Sequence, residues 1–273
     1  MGKYKLIALD MDGTLLNSKK QITDGTKKMI RRAAEEGKIV ALSTGRGLAE
    51  LHEYLEQVPE VRYLDCTSGA VVYDCQEKKV IARQTISVSD MEKLMEIASQ
   101  EDVMVHFLSE RSIVQKDKVE KMEEYHMGIY KTMFETKADH YEDIFRFYSD
   151  NPVPMEKCNI YHHTPEERTV TEEKIKAAGL PVVMVHAEET SLEITAEGVN
   201  KAAGLLALCR HLDISPEETI VVGDADNDKE VLQTAGLAIA MGNAADHIKA
   251  LADVVVADCD HDGCAEAIEK YLL

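Results

Sequence analysis

Two carboxylates one residue apart, Asp10 and Asp12, follow directly on the apolar run Leu6-Ile7-Ala8-Leu9. At the end of a buried strand such groups must be solvated, paired or bound to a metal, because a bare buried charge is costly. Three other apolar runs also end in reactive or small residues. Ile39 to Ser43 leads into Thr44-Gly45-Arg46, Thr219 to Val222 into Gly223-Asp224-Ala225-Asp226-Asn227-Asp228, and Leu237 to Met241 into Gly242-Asn243. Lys201 adds an ammonium at the start of an apolar, helix-like stretch. Brought together, these residues offer several carboxylates, one hydroxyl, backbone N–H groups freed by glycines, and one lysine. That inventory suits phosphoryl transfer. Hard carboxylate oxygens suit Mg²⁺, while a Thr hydroxyl, loop N–H groups and a Lys can neutralise the oxygens of a transferring phosphoryl group. No Ser/His/Asp pattern, thiol nucleophile or G-x-x-x-x-G-K-[ST] loop competes for the role. A carboxylate that forms an acyl phosphate and splits one hard step into two is then open as the nucleophile.

The elements that would carry these residues read as βαβ units. Strands Leu6–Leu9, Ile39–Ser43 and Tyr63–Cys66 alternate with helices near Thr23–Glu36 and Leu48–Gln57. The rhythm returns in helix Lys201–His211, strand Thr219–Val222, helix Lys229–Thr234, strand Leu237–Ala240, helix Ala245–Ala252, strand Val254–Val256 and a closing helix from Gly263. Continuous apolar strands between amphipathic helices predict an α/β fold, a doubly wound parallel sheet covered on both faces. In such sheets ligands sit at the carboxyl ends of the strands. The middle, from about Gln84 to Thr190, is more polar and fits antiparallel hairpins with a few helices. The expected organisation is therefore a core of residues 1–83 and 191–273 interrupted by an α/β domain of residues 84–190.

The balance of 31 Lys+Arg against 50 Asp+Glu in 273 residues gives a net charge of −19. That field repels nucleic acid and anionic membranes, so neither is expected as a partner, and no obligate protein partner is evident. An anionic ligand would need a local cation to offset it. Six cysteines without a C-x-x-C read as buried free thiols in a reducing cytoplasm. No apolar run is long enough to span a membrane, and a soluble cytoplasmic protein is the expectation.

In order and spacing, Asp10-Met-Asp-Gly-Thr-Leu15, Ser43-Thr-Gly-Arg46, Lys201 after Gly198, and Gly223-Asp-Ala-Asp-Asn-Asp228 resemble the four motifs of the haloacid dehalogenase superfamily of phosphatases. The chain looks most like its Cof-type subclass IIB, in which a large α/β cap is inserted between the second and third motifs. Met241-Gly-Asn-Ala244 also looks like that subclass. The resemblance implies that Asp10 attacks phosphorus, and that Asp12 protonates the leaving alcohol and then activates water. It implies that Thr44, the N–H groups near Met11 and Gly45, Lys201 and Asn227 hold the phosphoryl group. Mg²⁺ would be bound by Asp10, the Asp12 carbonyl and Asp224, with Asp228 acting through water or in support. The cap would close over a small phosphorylated metabolite. One departure is Ser68-Gly69-Ala70, where the family often shows Asn-Gly-Ala.

Other readings are weaker. Asp224-Ala-Asp226-Asn-Asp228 starts like a calcium loop, but Lys229 stands where Gly is needed and Ala235 where Glu is needed. Asp226 reads as a solvated loop acid, and Arg46 as either a substrate contact or a brace for its loop. His162 and His163 point to opposite faces if extended, which favours structural roles over a shared metal. Met91, Met95 and Met104 read as core. A phosphomutase shares the same motifs. A phospho-accepting signalling receiver or a binding module would need neither the insertion nor Asp12.

Overall fold

A computed structural model describes residues 3–186 and 188–273; Met1 and Gly2, in the range assigned to the core, and Ala187, in the range assigned to the insertion, lie outside these. The chain divides into two compact units. One comprises Met1–Arg46, Leu51–Arg83 and Asn200–Leu273, the other Gly47–Glu50 and Gln84–Val199. Along the chain the strands are β1 (Leu6–Leu9), β2 (Ile39–Ser43), β3 (Tyr63–Cys66), β4 (Val71–Asp74), β5 (Lys79–Arg83), β6 (Met104–Leu108) and β7 (Ser112–Gln115). They continue with β8 (Asp139–Tyr141), β9 (Lys157–Tyr161), β10 (Val182–Val185), β11 (Ser191–Ala196), β12 (Thr219–Gly223), β13 (Leu237–Ala240) and β14 (Val254–Val255).

The first unit holds an eight-stranded sheet in the order β14-β13-β12-β1-β2-β3-β4-β5. Pairing is parallel from β14 through β3, as expected; β4 and β5 add an antiparallel hairpin that the sequence reading did not assign. All four residues of β1 are buried, as a strand covered on both faces must be. Helix Asp24–Glu35 begins where the Thr23 side chain accepts from the Thr26 N–H, which satisfies one of the orphan donors of the first turn. Helix Lys201–Leu212 lays Leu205, Leu208 and Cys209 against Leu6, Ala8 and Val221. Each such buried leucine contributes about 1.5–3 kcal/mol relative to exposure. Register then sets the site. Leu9 lies level with Leu42 on one side and Val222 on the other, and Gly223 with Ala240, so the residues after these strands emerge along one edge of the sheet.

The second unit is built on a six-stranded sheet in the order β10-β11-β9-β6-β7-β8, antiparallel except for β7 with β8. Its core gathers Met91, Leu94, Val105, Phe107, Ile160 and Ile194. Met91, Met95 and Met104 are all buried, as expected. The two histidines have separate partners. His162 Nδ1 donates to the Thr190 carbonyl at 3.1 Å, which leaves Nε2 to accept from the Thr171 hydroxyl at 2.9 Å. His163 Nε2 faces Asp102 Oδ2 at 3.2 Å.

Two expectations need correction. The boundary placed at 190/191 falls instead after Val199, because β11 pairs with β9 and β10 and sends Leu192 and Ile194 into the second core. The helix expected over Leu48–Gln57 is a turn, Leu48–Glu50, followed by a short helix, His52–Leu55. Glu50 is the cause: its Oε2 accepts from the Gly47 N–H at 2.8 Å and its Oε1 from the Ser112 hydroxyl at 3.1 Å, which draws Gly47–Glu50 into the second unit. Among the described residues no helix is long and apolar enough to cross a membrane. All six cysteines are free thiols.

Candidate active site

Asp10 stands at the end of β1, buried, with its N–H on the Val222 carbonyl at 3.0 Å. Lys201 is the first residue of its helix, which is capped by Asn200 accepting from the Ala203 N–H at 2.9 Å. From there the fully buried Lys201 ammonium reaches Asp10 Oδ1 at 2.6 Å and Asp228 Oδ1 at 2.7 Å. Burial alone would strip its proton, but the charges and hydrogen bonds of the two carboxylates raise its pKa instead. Burial pushes Asp10 well above the usual carboxylate range, and Asp228 and Asp224 add to this against the pull of Lys201.

Asp228 is held by its own loop: Oδ2 accepts the N–H groups of Asp224 at 3.0 Å and Ala225 at 3.1 Å. Asp224 accepts from the Thr14 hydroxyl at 2.8 Å and from Asn243 Nδ2 at 3.2 Å. Burial, reinforced by Asp228 and Asp12, raises Asp224 to about 6 despite the Thr14 hydrogen bond and Lys201. Gly13 makes the close approach possible. It sits at φ +85°, and a Cβ there would lie 2.3 Å from Asp224 Oδ2.

Carboxylate oxygens of Asp10, Asp224 and Asp228 all lie within 4.8 Å of one another. Three carboxylates so placed, with Lys201 between two of them, suit a hard divalent cation with oxygen ligands.

Asp12 differs from its neighbour. Arg46 grips it with Nε 2.7 Å from Oδ2 and Nη2 2.8 Å from Oδ1, and Lys20 Nζ lies 2.7 Å from Oδ1. Burial would raise its pKa, but the hydrogen bonds and charges of Arg46 and Lys20 bring it down to about 2. The Arg46 guanidinium also lies over the Tyr54 ring, 5.1 Å from its centre. Of the two roles read for Arg46, the structure puts its fork on a carboxylate of the site.

Thr44 is buried at the end of β2, its hydroxyl accepting the Arg46 N–H at 3.2 Å. Met11 is buried, and its carbonyl takes the Leu16 N–H at 2.8 Å, which turns the loop back after β1. Gly45 follows Thr44 in the same loop, partly exposed. Asn227 presents a buried Oδ1 with no hydrogen-bond partner among the described residues. Asp226 lies apart, paired at the surface with Lys229 at 2.6 Å and His247 at 2.7 Å, as a loop acid would be.

Four residues went unnoticed as site residues: Thr14, Lys20, Asp65 and Asn243. Thr14 and Asn243 sit within quoted motifs, but nothing in their types marked them as partners of Asp224. Asp65 lies next to last in β3, fully buried; its Oδ2 accepts from the Ser43 hydroxyl at 2.7 Å and its Oδ1 has no partner among the described residues. It fits against the Lys201 helix only because Gly204 has no side chain, since a Cβ there would lie 1.8 Å from Asp65 Oδ1. Burial raises Asp65 to about 7, against Ser43 and Lys201. The departure at Ser68 also has a physical setting. Thr67 and Ser68 lie at φ +56° and +57°, with the Ser68 N–H on the Thr44 carbonyl at 3.0 Å. Asn tolerates that left-handed region better than Ser.

Comparisons with known proteins give the family. Residues 7–268 match the model of a family described as haloacid dehalogenase-like hydrolase. A 5-amino-6-(5-phospho-D-ribitylamino)uracil phosphatase of Bacillus subtilis is 29% identical over 270 residues, covering 98% of this chain and 96% of its own. The crystal structure of a haloacid dehalogenase-like hydrolase from Bacteroides thetaiotaomicron is similar with a TM-score of 0.85 at 26% identity, covering 98% of this chain and 99% of that one. A sugar phosphatase of subclass IIB shares the fold with a TM-score of 0.82 at 24% identity, over 97% of this chain and 98% of its own. The chain belongs to the haloacid dehalogenase-like hydrolase family, and within it is a phosphatase of the Cof type with the fold of subclass IIB.

Proposed function

We propose that this phosphatase hydrolyses a small phosphorylated metabolite, a phosphomonoester, through a phosphorylated Asp10, and that Mg²⁺ held by Asp10, the Asp12 carbonyl and Asp224 is required. The observation that carries the reading is the cluster of Asp10, Asp224 and Asp228 within 4.8 Å, beside a buried lysine that touches two of them. Mg²⁺, when bound, would supply positive charge to a phosphate oxygen and to the carboxylates. The chain's own groups do the rest. An Asp10 oxygen attacks phosphorus and the bond to the leaving oxygen breaks. Lys201, the Thr44 hydroxyl, the Asn227 amide and the N–H groups near Met11 and Gly45 hold the non-bridging oxygens as charge spreads over them.

Asp12 serves both halves. Ionised and gripped by two cations, it is in the form that takes a proton from the water that splits the acyl phosphate. In the first half the negative charge of the incoming phosphate competes for Arg46, which lifts the Asp12 carboxyl toward the range where it can protonate the leaving oxygen. Six free thiols support a reducing cytoplasm as its place. The name of the Bacillus subtilis relative, with a phosphorylated ribityl chain in its substrate, supports a metabolite of that size.

A screen of phosphorylated metabolites with Mg²⁺ tests the reading by release of inorganic phosphate. Wild-type protein releases phosphate from at least one, and Asp10→Asn protein from none. Near wild-type release by Asp10→Asn, or isomerisation of a sugar phosphate without release, overturns it.

A further inference from the structure

Lys20 lies outside every motif, in the turn Asn17-Ser-Lys-Lys-Gln21, yet its ammonium is 2.7 Å from Asp12 Oδ1. The turn is built to send it there. Asn17 and Gln21 close a tight hairpin, with the Asn17 N–H on the Gln21 carbonyl at 3.0 Å and the Lys20 N–H on the Asn17 carbonyl at 2.9 Å. The Asn17 side chain accepts two more N–H groups, from Lys19 at 3.0 Å and Gln21 at 2.9 Å. Ser18 anchors the tip by donating its N–H at 3.0 Å and its hydroxyl at 2.8 Å to Asp260 Oδ1. Leu16 and Ile22 bridge its base. Lys20 itself is held at φ +57°, a backbone shape that residues with side chains seldom adopt, so the hairpin imposes it.

Arg46 alone does not fix the Asp12 carboxylate, because a bidentate fork still lets the group rock about the axis of the pair. A third contact, on Oδ1 from the Lys20 side of the loop, removes that freedom. We infer that Lys20 is a positioning residue for this reaction: with Arg46 it clamps the Asp12 carboxylate in the orientation from which Asp12 exchanges protons with the leaving oxygen and the attacking water. The inference rests on the acid–base role proposed for Asp12. It assigns Lys20 to turnover rather than to capture of the substrate.

The test compares steady-state hydrolysis of p-nitrophenyl phosphate with Mg²⁺ by full-length wild-type, Lys20→Met, Lys20→Arg, Asp12→Asn and Asp12→Asn/Lys20→Met proteins, each checked for native melting. A positioned acid–base group contributes about 10²–10⁴-fold, so loss of one of its two anchors lowers kcat about tenfold in Lys20→Met with KM within about twofold. Lys20→Arg, which restores a cation, recovers most of the loss. In the Asp12→Asn background Lys20→Met has no further effect, because there is no carboxylate left to orient.

An unchanged kcat in Lys20→Met, a raised KM at unchanged kcat, or additive losses in the double variant each overturns the inference. Failure of the parent reading is separate: wild-type activity in Asp12→Asn would remove the role of Asp12, whereas a strongly reduced but measurable Asp12→Asn with a normal Lys20→Met would remove only that of Lys20.

Discussion

Arg46 meets Asp12 side on, Nε to Oδ2 at 2.7 Å and Nη2 to Oδ1 at 2.8 Å, so that one planar group contacts both carboxylate oxygens. A lysine at this position keeps the charge and loses the fork. Arg46→Lys is therefore expected to lower kcat about tenfold, and Arg46→Ala about a hundredfold, within the range that a positioned acid–base group contributes. Steady-state kinetics of phosphate release at saturating substrate give the comparison; equal activity of Arg46→Lys and wild type would show that charge alone suffices.

The carboxylate cluster predicts metal dependence. Removal of divalent ions with EDTA abolishes turnover, and added Mg²⁺ restores it. Asp224→Asn, which weakens a ligand and leaves Thr14 and Asn243 as hydrogen-bonding neighbours, raises the Mg²⁺ concentration needed for half-maximal activity at least tenfold, in line with the loss of about 1.4 kcal/mol or more of binding. Mg²⁺ titrations of activity in both proteins decide it, and overlapping curves would remove Asp224 from the ligand set.

Asp65 predicts a pH dependence of stability. Its pKa is raised from 3.8 to about 7 by burial, so the folded state keeps a proton that the unfolded chain loses. The carboxyl therefore costs nothing below pH 4, and its cost grows as pH rises toward 7, levelling off above that value. At full ionisation the gap corresponds to about 4 kcal/mol. Asp65→Asn removes that cost, so the variant gains stability over wild type at pH 8 and not at pH 4. Urea unfolding at the two pH values measures the difference, and a gain of equal size at both would refute a titrating Asp65.

Ser68 predicts a stabilising change toward the residue common in the family. At φ +57° an Asn side chain is tolerated better than Ser. Ser68→Asn is expected to raise stability by about 1 kcal/mol, and Ser68→Val to lower it by at least as much, since a β-branched residue resists the left-handed region. Midpoints of chemical unfolding report both.

The parallel core was legible because its strands are continuous apolar runs and its helices amphipathic, and because each strand ends where the pattern stops. Asp10, Asp224 and Asp228 could be grouped for the same reason, since they follow the ends of those runs, and Lys201 joined them by its place at a helix start in the order of the motifs. Lys20 and Asp65 could not. One depends on how a five-residue hairpin folds back, the other on a missing side chain at Gly204, and neither leaves a period in the sequence. β11 carried its own alternation of Leu192 and Ile194, yet alternation alone does not say which of two sheets a strand joins. Leu48–Gln57 failed as a helix because the Glu50 side chain finds partners at Gly47 and Ser112, and one long-range hydrogen bond outweighs a weak local preference.

β1 is sandwiched between β2, which follows it closely, and β12, which begins at Thr219. A ribosome making this protein thus releases the strand that leads into Asp10 long before the neighbour that completes it. Until Thr219–Gly223 and the residues after it emerge, β1 shows an unpaired apolar edge and Asp10 lacks its fellow carboxylates Asp224 and Asp228. The carboxylate cluster is completed only by the late strand, and a nascent chain halted before that point would be inert and prone to stick to other chains.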